Sequence, residues 1–309
     1  MMDDGEKRVL LGMIRAAAEF SGVEVYTHAL MDNHFHLLIR VPQRQEVDDG
    51  ELARRVRALY GPERSEKMFM QWVKWEAKGQ GSRVEEAKKR LRARMYDLSQ
   101  FCKTFKESYT QDYNRRHDNT GTIWEGRFKS ILLEGSWRAL MTVAAYIHLN
   151  PVRAEMVDDP ELAVNTGYGA ACAGDPMARR GLVSLVRRFL NAGSTGWESV
   201  REIFQETMDG ALAKDSLSAL AVAGPPPSSD DAAGEKVERP KSVAGNPSLH
   251  DLLRVRCIGF LHGGVLGSKD FLASQIRLLP MRRRQRPESV LDHYPSLGLE
   301  AALGIREAS

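Results

Sequence analysis

Two histidines stand two residues apart in the segment His34-Phe35-His36-Leu37-Leu38-Ile39. The segment is rich in aromatic and branched apolar residues, so it reads as a strand. Alternation along a strand sends both imidazoles to one face and Phe35, Leu37 and Ile39 to the other, into the core. Their α-carbons then stand about 6 to 7 Å apart, close enough for both rings to converge on one divalent cation. A His-x-His pair alone is a weak signal, shared with metal hydrolases and with ordinary strands, and further groups must complete a site.

Further along the chain, Tyr146 and Asn150 stand four residues apart in a segment with helical spacing. That separation places them one turn apart on one face, distinct from the apolar face of Leu140, Ala144 and Ile147. A phenol and a carboxamide so placed present a nucleophile and an oxygen ligand together. On spacing alone the plainer reading of each is the favoured one: a tyrosine at the core edge, and an asparagine that ends a helix before Pro151. Tyr109 and Tyr113 are rival nucleophiles in a basic helix, but neither has an amide four residues later. His148 lies about 160° around the helix from Tyr146 and is left out of the expected site.

These residues need elements to hold them. Val9, Leu10, Met13, Ile14, Ala17 and Phe20 form the stripe of an amphipathic helix that Ser21-Gly22 ends. Val23 to Leu30 and His34 to Val41 read as two strands joined by Met31-Asp32-Asn33, giving a helix that feeds a β-hairpin. Glu51 to His117 is highly charged with helical spacing, broken near Gly61-Pro62 and Gly79–Ser82, and is expected to form two or three helices. A loop with Gly121 and Gly126 leads to a short strand over Phe128–Leu133. Ser136 caps the helix that carries Tyr146, and Pro151 is expected to stop it. Further helices are expected over Met177–Leu190 and Trp197–Leu220. Gly224 to Asp231 is composed like a linker, and a small unit from Ser248 to Leu279 precedes a basic tail, Arg282-Arg283-Arg284-Gln285-Arg286. The expected division is residues 1–165 as a catalytic domain with a helical insertion at about 50–100, 166–222 as a helical extension, 223–247 as a linker and 248–309 as a C-terminal unit.

The composition, 42% hydrophobic and 28% charged, belongs to a globular chain and not to a disordered one. Apolar runs are too short for a bilayer, and the acidic start Met1-Met2-Asp3-Asp4-Gly5-Glu6 is unlike a secretory signal, so no membrane association and a cytoplasmic, nucleoid-associated location are expected. Three widely spaced cysteines, Cys102, Cys172 and Cys257, build neither a disulfide framework nor a local metal site. The net charge of +3 does not by itself argue for nucleic acid; its clustering at Lys88–Arg90, Arg115-Arg116, Arg179-Arg180 and Arg282–Arg284 is the more informative feature, and for Lys88–Arg90 solvated helix faces are the preferred reading.

Three strings in order carry a resemblance: Leu30-Met31-Asp32-Asn33-His34-Phe35-His36-Leu37-Leu38, then Gly121-Thr122-Ile123-Trp124-Glu125-Gly126-Arg127-Phe128-Lys129-Ser130, then Tyr146-Ile147-His148-Leu149-Asn150-Pro151-Val152-Arg153-Ala154. Together they resemble the signatures of the REP-associated tyrosine transposases, relatives of the HUH-class single-strand insertion-sequence transposases, over roughly the first half of the chain. The resemblance implies an α/β (α+β) ferredoxin-like core with a central antiparallel sheet and flanking helices. It implies that His34, His36 and Asn150 hold Mg²⁺ or Mn²⁺ and that Tyr146 attacks a phosphodiester, leaving a 5′-phosphotyrosine and a 3′-hydroxyl. The implied partner is single-stranded DNA carrying hairpins, of the kind found at REP elements or insertion-sequence ends.

Around that site, Arg127 and Lys129 are candidate phosphate contacts and Trp124 a candidate stacking platform, although a core aromatic that anchors its loop fits Trp124 nearly as well. Arg115, Arg116 and Arg153 extend the same expected surface. The sequence departs from the family where a strand should precede the first helix, because only Met1–Arg8 stand there. An uncovered sheet edge would invite another chain, which makes a homodimer an expectation too. Two rival readings remain: a DNA-binding protein of this fold that has lost its chemistry, and a metallohydrolase of small substrates using His34 and His36.

Overall fold

The computed structural model describes residues 2–126, 128, 130–190, 195–222, 264–267 and 301–304. The chain divides into two units, residues 1–128 with 147–197, and residues 129–146 with 198–309. The architecture is mixed α and β, mostly helical. The candidate linker, most of the expected C-terminal unit, the basic tail, Arg127 and Lys129 lie outside the described residues.

In the first unit, helix α1 spans Asp4–Ser21. It begins earlier than its apolar stripe suggests because Asp3 caps it, accepting from the Glu6 backbone N–H at 2.8 Å. Gly22 ends it at φ 72, a left-handed conformation suited to glycine. Strand β1, Glu24–Leu30, then pairs antiparallel with β2, Phe35–Arg40, in the register Ala29 to His36 and Thr27 to Leu38, with a bulge at Tyr26. The hairpin is therefore present as the alternation requires. Among the described residues this unit's sheet has two strands, and the fuller ferredoxin-like sheet is not seen.

The charged stretch folds as three helices: α2, Asp49–Ala77, with a break at Gly61-Pro62; α3, Gly81–Ala93; and α4, Leu98–His117. Phe35, Leu37 and Ile39 on one face of β2 pack against Leu10 and Ile14 of α1 and Phe101 and Phe105 of α4. A second cluster joins Phe20 to Leu52, Val56, Leu91 and Met95, rooting the α2–α3 hairpin at the C-terminal end of α1.

Helix α5 spans Trp137–Arg153 and passes through Pro151, where the sequence suggested a stop. Proline removes one N–H and leaves the carbonyl four residues back without its helical donor. That carbonyl belongs to Ile147, and the Asn150 side-chain amide donates to it at 3.5 Å. At the other end the Ser136 hydroxyl accepts from the Ala139 N–H at 3.4 Å, the cap expected there. The boundary between the two units falls within α5, between Tyr146 and Ile147.

Two further helices, α6 at Gly167–Cys172 and α7 at Pro176–Arg187, belong to the first unit rather than to a separate extension. They cover the outer edge of β1. The Leu30 N–H donates to the Asn165 carbonyl at 3.0 Å, and Ala29 bridges to Thr166. Gly181 of α7 lies so close to the bulge that a β-carbon there would stand 2.5 Å from the Tyr26 carbonyl oxygen.

The second unit contains β3 at Ile131–Leu133, shorter than the strand expected from Phe128. It runs parallel to β4, Gly264–Gly267, which is antiparallel to β5, Ala301–Gly304. Helix α8, Trp197–Val222, begins at the boundary. Among the described residues no helix is long and apolar enough to cross a membrane.

Candidate metal and nucleophile site

His34 sits at the end of the turn that opens β2, closed by the Met31 N–H donating to the His34 carbonyl at 2.9 Å. The rings of His34 and His36 approach edge to face, centroids 5.0 Å apart and planes at 87°. His34 is exposed and His36 half-buried. Burial, with a smaller contribution from His34, lowers the His36 pKa to about 4, so its imidazole is neutral at pH 7, the form that ligates a metal. His34 Nδ1 lies 2.7 Å from Asn33 Oδ1. That contact requires the proton on Nδ1 and makes Nε2 the electron-pair donor, the orienting bond that metal-binding histidines use.

The turn itself is fixed from α1. The buried Lys7 ammonium donates to Asp32 at 2.7 Å, and the Met2 N–H donates to the Asp32 carbonyl at 2.6 Å. Asp32, Asn33 and His34 are thereby held as a block.

Cross-strand neighbours share a face, so His36, Leu38, Ala29 and Thr27 project to the side opposite the α1–α4 core. The last turns of α5 cover that side. His148 Nε2 lies 2.6 Å from the Thr27 hydroxyl, both side chains buried, and its ring stacks on Tyr168 at 5.7 Å. Burial, followed by the nearby His28, lowers the His148 pKa to about 3 and keeps it neutral. His148, set aside on the sequence, is thus the residue that fixes α5 to the histidine-bearing face; its burial beside a strand threonine left no signal in the spacing.

Asn150 is half-buried two residues beyond this anchor, about 160° round the helix from His148. Tyr146 is half-buried on the same stripe as Thr142, Val143, Asn150 and Arg153, so its ring is not lost in the interior. Among the described residues no three His, Cys, Asp or Glu side chains gather as a metal-binding group. The expected donor set is of another kind, two imidazoles and a carboxamide oxygen. Neutral His36, oriented His34 and an amide on the covering helix fit a divalent cation chemically.

The rival tyrosine Tyr109 is buried, its hydroxyl donating to Glu6 at 2.9 Å, and burial with that carboxylate raises its pKa. A phenol so held is not available as a nucleophile. Trp124 belongs to the core: its indole N–H reaches Thr110 Oγ1 at 2.9 Å and its ring packs edge-on against Phe35. These contacts anchor its loop, and the Lys106 ammonium lies 5.0 Å from its ring centroid. Arg116 clamps Glu6 through both Nη atoms and also bonds Asp112, while Arg115 is exposed and paired to Asp112. Arg153 is half-buried at the end of α5. Cys102 is buried with its thiol pushed up to about 12, and Cys172 is half-buried; neither forms a disulfide among the described residues.

No family model matches the chain, and no curated protein or solved structure matches it either.

Proposed function

We propose that this chain is a divalent-metal-dependent transposase that cuts and rejoins single-stranded, hairpin-bearing DNA through a covalent bond to Tyr146. The observation that supports the reading is the bond from His148 to Thr27, because it packs the C-terminal turns of α5, the helix that also bears Asn150, against the hairpin that carries the two histidines.

In this reading His34, His36 and the Asn150 amide oxygen hold Mg²⁺ or Mn²⁺, which when bound supplies Lewis-acid polarisation of the scissile phosphate. Tyr146 gives its phenolic proton to solvent and its oxygen attacks phosphorus. The P–O3′ bond breaks, the departing oxygen takes up a proton as a 3′-hydroxyl, and the 5′-phosphate remains esterified to Tyr146. A different 3′-hydroxyl attacking that ester rejoins strands with no outside energy source, because one ester replaces another. Arg115 and Arg153, with Arg127 and Lys129 from the sequence, neutralise flanking phosphates.

Incubating the protein with Mg²⁺ and hairpin-bearing oligonucleotides tests this. A covalent adduct on a denaturing gel that vanishes in Tyr146→Phe is the expected result; an adduct that persists in Tyr146→Phe overturns the assignment. A second reading, DNA binding without chemistry, is favoured by the two-stranded sheet of the first unit. Tight binding with no adduct in the unaltered protein would select it.

A further inference from the structure

The α2–α3 hairpin carries more positive charge than the whole chain. Between Asp49 and Ala93 twelve lysines and arginines face seven carboxylates, a local +5 in a molecule of net +3. Within the second half of α2 the cations are ordered. Lys67 and Lys74 fall within about 20° on the helix, about 10 Å apart along its axis, Lys78 caps its C-terminal end, and all three are exposed. Lys67 pairs with Glu63, both side chains largely in water, whereas Lys74 and Lys78 have no ion pair among the described residues. A pair that exposed contributes little and exchanges readily for a phosphate.

Phe69 and Trp72 lie on the side of the helix opposite Lys67 and Lys74. Phe69 and Trp72 pack on each other and on the cluster around Phe20. Arginines cover other rings: Arg57 over Phe69, Arg64 over Tyr60 and Arg83 over Trp75. A surface built for single strands offers rings on which bases stack. This one offers a straight row of ammonium groups and keeps its rings occupied, which suits the regular phosphates of a double helix.

Position adds a length. The arm is rooted at the C-terminal end of α1, where the Tyr96 N–H donates to the Ser21 carbonyl at 2.7 Å. The His34 turn is tied to the opposite end of α1 through Lys7 and Asp32. The fourteen residue steps from Lys7 to Ser21 separate the two by about 21 Å, or roughly six base pairs.

Building on the proposed DNA chemistry, we infer that the Lys67–Lys74–Lys78 face of α2 grips the phosphate backbone of the duplex stem of the DNA hairpin, away from the cut. The contact is to backbone and is independent of sequence.

The test measures binding of the full chain to fluorescent DNA as salt is varied, using a hairpin with a 20-base-pair stem and single-stranded tail, a hairpin with a 5-base-pair stem and the same tail, and the tail alone. Replacing the three lysines by glutamine should lower the slope of log affinity against log salt by about 2.7 on the long stem and leave the other two probes unchanged. Replacement by arginine should restore it. No change on the long stem, as expected if the face serves an acidic protein instead, overturns the inference, and so does an equal change on all three probes. Thermal melting verifies that each variant is folded. Adduct formation on the tail is read in parallel: its absence in the unaltered protein counts against the Tyr146 chemistry alone, and its retention in the glutamine variant separates arm from catalytic centre.

Discussion

Thr27 on β1 and His148 on α5 share a hydrogen bond of 2.6 Å across a fully buried interface. The strand partner of Thr27, Leu38, is two residues from His36. Thr27→Val keeps the shape and deletes the hydroxyl, taking this partner from His148. A loss of about 1–3 kcal/mol is expected, read as a lower urea midpoint with unchanged m-value. A change below about 0.5 kcal/mol, the level of an ordinary surface substitution, would show that the bond does not anchor α5.

Asn33 contacts no proposed substrate or metal, but it orients His34 at 2.7 Å. Asn33→Ala should weaken Mn²⁺ binding about 10- to 100-fold in calorimetric titration, and His36→Ala should abolish it. Equal Mn²⁺ affinity in the parent and both variants would remove the metal from this face.

Glu6 is buried at the start of α1 and receives Arg116, His117 and Tyr109. The Arg116 guanidinium, first, holds its pKa down, from 4.5 to about 2, against the opposing effect of burial. A carboxylate whose pKa is depressed on folding stabilises above its unfolded pKa and stops doing so as pH falls towards the folded one. The window is therefore between about 4.5 and 2. With Arg116 partly in water, the contribution is on the order of 2 kcal/mol. Glu6→Gln should lower stability at pH 7 and flatten the decline of unfolding free energy through that window; parallel curves for the two proteins would refute the clamp.

Gly181 lets α7 touch the bulge of β1. An added methyl would meet the carbonyl oxygens of Tyr26 at 2.5 Å and Val25 at 2.8 Å, both backbone atoms that cannot turn aside. Gly181→Ala should cost about 1–3 kcal/mol, despite the gain in helix propensity that alanine brings elsewhere. A melting temperature equal to or above that of the parent would contradict the close approach.

The strand of His34 and His36, the helix of Tyr146 and Asn150, and the breaks at Gly61 and Gly79 were legible because each rests on local periodicity or on a residue with special backbone freedom. The core face of Phe35, Leu37 and Ile39 followed from alternation and packs as expected. What local pattern could not reveal was tertiary. Nothing in the sequence singled out Glu6 and Lys7, which are buried because Arg116 and Asp32, distant in sequence, meet them. Pro151 read as a stop, and a side-chain amide one residue earlier compensates for it. The helices α6 and α7 read as an appendage because nothing in their periodicity reports that Gly167 and Gly181 are cut to fit against β1.

The Lys7–Asp32 clamp makes the start of the chain part of the geometry of the proposed metal site. Anyone producing this protein with a fusion partner spliced close to Met2, or trimming back to the first apolar residue, would be altering the aim of His34 while leaving every ligand in place. An inactive preparation made that way would mislead, and the same tether offers a handle: Lys7→Met would dial the histidine pair out of alignment from beneath, without touching the surface proposed to meet DNA.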